Sequence, residues 1–242
     1  MKKNFLSKNK RVLFCADDFG ISPVANQRIL DLAKKGLIDS VAVMMEGGIT
    51  SEEAQELAAS GVKIDLHLTI AELDPFEESK RTHPRNVIFR GILFLRKFFS
   101  GALNKGKVSE EWETQLEKFQ EVFHRFPDGI NSHEHVHYFP ALFKVASLIA
   151  KKHQIEYLRC GEKIISPSVN RTVIILEGLR FFAYYILKKN NLKTFDYLCS
   201  YDWIKKDEEL AELINKIPEG AVLEVVFHPE RDREQKFLMQ QR

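Results

Sequence analysis

The feature that most restricts what this chain can fold into is an alternation of short apolar runs with longer amphipathic ones. Val12 to Ala16 is apolar without a break, the pattern of a strand buried in a parallel sheet. Ser22-Pro23 follows as an N-cap with proline at the first helical position. A helical pattern through Ile29, Leu32 and Ala33 then runs out near Gly36. The cycle repeats with a strand over Ser40 to Met45, a helix over Ser51 to Ser60 and a strand over Val62 to Leu68. Ser109 to Phe126 is predicted helical, with Trp112, Leu116, Phe119 and Phe123 on one stripe. Ile130 opens a strand, Pro140 to Lys152 forms a helix and Ile155 to Leu158 another strand. Glu208 to Ile217 is a helix and Ala221 to Phe227 the last strand. Repeated β-then-α units of this length imply an α/β fold on a parallel sheet, either a barrel or doubly wound.

Size and charge narrow the class further. The chain has 242 residues, 36 Lys+Arg against 34 Asp+Glu, and a net charge of +2, so a nucleic-acid coat is not its expected role. A length of 242 residues suits one domain, expected over residues 1–242 with insertions near 71–107 and 160–200. Cys15, Cys160 and Cys199 are odd in number, far apart and set among apolar neighbours, so they read as buried thiols in a reducing compartment. The basic N-terminus precedes an apolar run too short for a signal peptide, and nothing reaches the ~18 uninterrupted apolar residues of a membrane span. A cytoplasmic location is expected.

In both parallel-sheet architectures, functional side chains gather where strands end. The first predicted strand ends in Asp17-Asp18 and the third in Asp65-Leu66-His67. The fourth runs into His133-Glu134-His135-Val136-His137, and the last delivers His228-Pro229. An acid pair alone is usually a turn or cap, and a lone histidine is usually structural. Five of the chain's 8 histidines at strand ends is a concentration that packing does not explain. If residues 133–137 are extended, alternate side chains share a face about 6.5–7 Å apart, so one ligand from this motif is expected and the others shape the pocket.

Ala16-Asp17-Asp18-Phe19-Gly20-Ile21-Ser22 with Asn26, His67-Leu68-Thr69, Ser132-His133-Glu134-His135-Val136-His137, and Glu224 with His228-Pro229 together resemble the YdjC family. This is the group of carbohydrate deacetylases that includes chitooligosaccharide deacetylases and hopanoid-associated HpnK proteins. The resemblance implies a parallel (β/α) barrel, TIM-barrel-like but irregular or seven-stranded. By position it implies metal ligands at Asp18, His67 and His133, a general base at Asp17 and a general acid at His228. Two departures stand out: Asn131 occupies a position where the family usually has Asp, and Glu230 follows Pro229 where Gly is common. The first bears on a carboxylate that would orient an imidazole.

The implied chemistry is the removal of acetyl groups from N-acetylated sugars or oligosaccharides, soluble or lipid-linked. An Asp/His/His set leaves coordination positions open, and a divalent ion there lowers the pKa of its water, which then attacks the acetamide. Asp17 would take the proton of that water and His228 would give one to the departing amine. The donor set favours zinc, while the family is commonly described with magnesium; both stay open. Arg159 is expected to pair Asp17 or grip substrate, Glu224 to orient an imidazole or serve packing, and Asn26, His135 and His137 to line or support the pocket. The alternatives are a metal-dependent phosphoesterase on a similar barrel and a non-catalytic sugar- or lipid-binding module.

Two stretches fall outside these motifs. Residues 71–107 carry Arg81, Arg85, Arg90, Arg96, Lys97, Lys105 and Lys107 among apolar residues, and 171–189 read RTVIILEGLRFFAYYILKK. Each is expected to form a lid or a homodimer interface, or a surface that meets lipid or an anionic membrane face.

Overall fold

In a computed structural model, which describes residues 10–71, 96–98, 100–101, 104–168 and 171–241, eight strands form one wholly parallel sheet. In chain order they are β1 (Arg11–Phe19), β2 (Ser40–Val43), β3 (Lys63–Leu68), β4 (Gly129–Ser132), β5 (Tyr157–Leu158), β6 (Lys163–Ile164), β7 (Tyr197–Ser200) and β8 (Val222–Phe227). Their spatial order is β5-β4-β3-β2-β1-β8-β7-β6. The sheet curls into an α/β half-barrel, as an irregular TIM-like barrel requires. Its irregularity lies at the two-residue strands β5 and β6, which end the hydrogen-bonded order.

The helices follow the strands: α1 (Pro23–Lys34), α2 (Ser51–Ala59), α3 (Lys105–Phe123), α4 (Pro140–Lys152), α5 (Arg171–Lys189), α6 (Asp207–Lys216) and α7 (Asp232–Met239). Local chemistry sets their starts. Ser22 Oγ accepts from Ala25 N–H at 3.1 Å before Pro23. Thr50 and Glu53 form a reciprocal capping box on α2. The stripe Trp112, Leu116, Phe119 and Phe123 on α3 is buried as expected, although the helix begins four residues earlier than the pattern suggested because Asn104 caps it.

Strand parity decides where the core and the site lie. Val12, Phe14 and Ala16 of β1, Ile64, Leu66 and Leu68 of β3, and Leu223, Val225 and Phe227 of β8 all belong to the apolar core. The opposite parity carries Cys15 and Asp17, Asp65 and His67, and Glu224, all buried. One face of the sheet therefore packs under the helices while the other is polar, unlike a barrel interior filled by branched apolar side chains.

Residues 160–200, read as an unmatched stretch, supply β6, α5 and β7. Arg81, Arg85 and Arg90 lie outside the described residues. The three cysteines are buried and unpaired. Among the described residues, no helix is long and apolar enough to cross a membrane.

Candidate active site

The two acids at the end of β1 should point to opposite faces, because strand side chains alternate. A bulge prevents this. Ala16 pairs with Val41 and Phe19 with Val43, so Asp17 and Asp18 together oppose Ala42 alone. Asp18 absorbs the extra residue in a left-handed backbone (φ 70°). Both carboxylates thereby turn to the polar face of the rim.

Asp18 Oδ1 lies 3.2 Å from His67 Nε2 and 2.9 Å from His133 Nδ1, with the two rings perpendicular to within 8° at a 5.8 Å centroid separation (interplanar angle 82°). These three donor atoms all lie within 4.8 Å of one another. Asn131 Oδ1 accepts a short hydrogen bond from His67 Nδ1, so the amide does the orienting expected of a carboxylate there. In the neutral tautomer with its proton on Nδ1, His67 turns the Nε2 lone pair toward a carboxylate oxygen. Two acceptors facing each other call for a cation between them, and an Asp/His/His donor set suits a divalent ion. Burial opposes charge on both Asp18 and His133. Their mutual attraction prevails, holding the Asp18 carboxyl well below its ordinary range and raising the His133 imidazole.

Asp17 stands beside this cluster, its Oδ2 4.0 Å from His67 Nδ1, but its hydrogen bonds go to another group. Arg159, fully buried, donates from Nη1 to Asp17 Oδ2 at 2.7 Å and from Nη2 to Oδ1 at 3.0 Å. Burial alone would raise the Asp17 pKa, but the guanidinium outweighs it and brings it down to about 2. The same guanidinium pairs Glu224 Oε1 at 2.9 Å, so Glu224 orients Arg159 and not an imidazole. Deeper on this face, Tyr157 OH donates to Asp65, whose carboxyl burial pushes up to about 7.

The histidine motif is not extended, and this corrects the conditional spacing argument. Residues His133–Tyr138 form a 3₁₀ segment broken by left-handed Glu134 (φ 53°) and His135 (φ 56°). The reversal leaves His133 at the cluster and sends the other two imidazoles elsewhere. His137 donates from Nε2 to the Arg159 carbonyl at 2.8 Å, and its Nδ1 meets Ser132 Oγ at 2.5 Å. Burial drives its pKa well down, so it is a neutral strut beneath Arg159. His135 stays near the rim against Trp203 (6.3 Å) and Tyr138 (5.9 Å), with a buried Nδ1 that has no hydrogen-bond partner among the described residues. Burial lowers its pKa to about 4.

His228 follows β8. Its backbone N–H donates to Glu234 Oε2 at 2.6 Å, and its Nδ1 stands 3.6 Å from the same oxygen. Burial disfavours the imidazolium, but Glu234 and then Asp18 more than offset it, lifting the pKa to about 9. Asn26 is spent on structure: Oδ1 accepts from Gly20 N–H at 2.6 Å, while Nδ2 donates to Gly48 O and to Glu53. It ties the loops after β1 and β2 together and presents nothing to a ligand.

Glu234 and Trp203 escaped the sequence reading. A signal for Glu234 was available, since an acid in the first turn of a helix beginning just after His228-Pro229 can reach back to that loop. Trp203 sits in a three-residue 3₁₀ turn after β7, with no pattern to mark it.

The family model described as YdjC-like protein matches residues 11–242. A chitooligosaccharide deacetylase from Escherichia fergusonii is 29% identical over 141 residues, covering 58% of this chain and 55% of its own. A carbohydrate deacetylase from Enterococcus faecalis is 25% identical over 233 residues, covering 91% and 81%. A carbohydrate deacetylase from Homo sapiens is 25% identical over 154 residues, covering 62% and 48%. The chain thus spans about half the length of several curated relatives it matches. A crystal structure from Enterococcus faecalis V583, named for cellobiose-phosphate cleavage, superposes with a TM-score of 0.63 at 22% identity, covering 97% of this chain and 88% of that one. An uncharacterized protein from Agrobacterium tumefaciens C58 does so at 0.55 and 9% identity, covering 97% and 82%. Both likenesses speak to fold alone.

Proposed function

Because this chain belongs to the YdjC-like protein family, we propose that it is a carbohydrate N-deacetylase, hydrolysing the acetamide of an N-acetylated sugar or oligosaccharide with one divalent ion held by Asp18, His67 and His133. The observation that carries this reading is the convergence of two imidazole nitrogens on one Asp18 oxygen, with the salt-bridged Asp17 carboxylate and the His228 imidazole at the same rim. When bound, magnesium or zinc supplies Lewis acidity to the acetyl carbonyl and acidifies water.

The rest of the work falls to the chain. Asp17 accepts the proton of the attacking water. Its pKa of about 2 keeps it ionised throughout the physiological range but makes it a weak base. Asp17 therefore acts by orienting that water and taking charge only as the new carbon–oxygen bond forms. Arg159 keeps its carboxylate aimed. His228, protonated up to about pH 9, gives its proton to the amine nitrogen as the carbon–nitrogen bond breaks. His135 and Trp203 form a wall for the sugar, with the unpartnered His135 Nδ1 as a hydrogen-bonding point.

The test is acetate and free-amine release from N-acetylglucosamine oligomers by metal-analysed protein. Activity abolished by chelator and by Asp17→Asn is expected. Phosphate release from sugar phosphates with no acetate would overturn the reading in favour of a phosphoesterase, and binding without turnover would favour a sugar-binding module.

A further inference from the structure

Helix α5 is apolar on two opposite sides. Leu176, Ala183 and Leu187 are buried against the barrel. Ile174, Ile175, Phe181, Phe182 and Tyr185 face outward and are 53–69% exposed. Positions 174, 178, 181 and 185, with 175 and 182 beside them, fall on one stripe about three turns long. Gly178 lies in this stripe with nothing near its Cα on the side where a Cβ would stand. A helix greasy all round needs a cover on each side, and among the described residues the outer side has none.

The charges around the stripe say what kind of cover fits. Helix α5 carries Arg171, Arg180, Lys188 and Lys189 against the single acid Glu177. Glu177 is turned away, accepting from Ile164 N–H at 2.8 Å and pairing Arg180. Lys188 reaches Glu162 at 3.3 Å, and Arg171 and Lys189 are exposed at the two ends of the helix. Exposed Lys163 and Lys193 lie on the flanking segments. A second copy of this chain is a poor cover. Antiparallel two-fold packing of α5 on α5 sets Arg171 of one copy against Lys188 and Lys189 of the other, and parallel packing sets the lysines against each other. An aromatic and aliphatic stripe with basic ends matches the boundary layer of an anionic bilayer, where rings sit among acyl chains and cations among phosphates.

We propose that the outer face of α5 is a peripheral docking surface for anionic phospholipid membranes, lying in the headgroup layer and not spanning it. The helix packs against the 3₁₀ segment that begins with His133, so the docked face is separated from that segment by the helix itself. This inference does not rest on the chemistry assigned to the site.

The experiment is flotation of the full chain with vesicles of phosphatidylcholine alone and of phosphatidylcholine with one quarter phosphatidylglycerol, at low and high salt. Co-flotation with the anionic vesicles is expected, falling ~10-fold on neutral vesicles and again at high salt, where screening shortens the reach of the lysines. The double variant Phe181→Ser/Phe182→Ser loses flotation with an unchanged melting temperature, and Arg171→Glu/Lys189→Glu loses its preference for the anionic lipid. No flotation, or equal flotation on both compositions, overturns the proposal. So does a fall in melting temperature of the Phe variant, which means the chain covers this face itself. A dimer in sedimentation that the Phe variant dissociates assigns the face to a second copy and overturns it as well.

Discussion

Arg159 grips both carboxylate oxygens of Asp17 from a fully buried position, at 2.7 and 3.0 Å. It ties the residue that follows β5 to the end of β1 across the polar face of the sheet. A bidentate ion pair fixes direction as well as charge. Because Arg159 is shared with Glu224, its loss leaves two buried carboxylates without their cation. Arg159→Met is expected to cost roughly 3–5 kcal/mol in urea unfolding. Arg159→Lys keeps the charge but loses the fork, so it should lose less stability and still drop kcat about tenfold or more.

The acid side of the stability profile follows from the same pair. Asp17 has a folded-state pKa of about 2, below its ordinary 3.8. Its contribution is therefore present above pH ~4 and lost as pH falls toward 2, and it amounts to roughly 2 kcal/mol. Denaturant titrations of the metal-free protein between pH 5 and 2 should show a fall in stability that is smaller in Asp17→Asn. Identical slopes in the two proteins would contradict this account of the pair.

His228 titrates in the opposite sense. Its pKa is raised to about 9, so its stabilisation is complete below pH ~6.5 and disappears as pH rises through 9. As proton donor it should set the alkaline limb of kcat/KM, with His228→Gln lowering kcat by about 10²–10⁴. Glu234→Gln removes the nearest support for the imidazolium and should move that limb toward neutral pH. A limb that stays put in this variant would assign it to another group.

Asn131 and His67 make the sharpest test of the cation site. Asn131→Leu removes the acceptor for His67 Nδ1 and should weaken zinc binding about 10–100-fold by calorimetry. Asn131→Asp restores an acceptor and should hold or tighten it. If Asp weakens binding as much as Leu does, the amide is a donor to His67, and the imidazole lone pair does not face Asp18.

Much of the fold was legible because apolar runs and caps are local. Pro23 and Pro140 start their helices where the reading put them, and the residues singled out for chemistry lie near the ends of β1 and β3 or directly after β4 and β8. What escaped was backbone conformation imposed from outside. Neither Asp18 nor Glu134 and His135 advertise a left-handed turn, since non-glycine residues adopt it only when the surroundings over-determine it. Without the bulge at Asp17-Asp18 the two acids would have opposite faces, and without the turn at 134–135 the histidine motif reads as a strand. Arg159 could be suspected as a partner of Asp17, but its complete burial depends on β1, β5 and β8 meeting, which no local pattern encodes.

One contact near the rim bears on how this molecule could diversify. A Cβ at Gly47 would stand 2.1 Å from the Gly20 carbonyl oxygen, and one at Gly20 would stand 2.7 Å from Met44 O. The loops after β1 and β2 are thus welded backbone to backbone, with the Asn26 amide as the rivet. That arc offers no foothold for inserted residues or bulkier side chains without dislodging the bulge beside it. Among the described residues, new ligand preferences would have to arise on the remaining arc of the mouth, around Trp203 and the turn at residues 133–138, leaving the Asp18 corner as an heirloom.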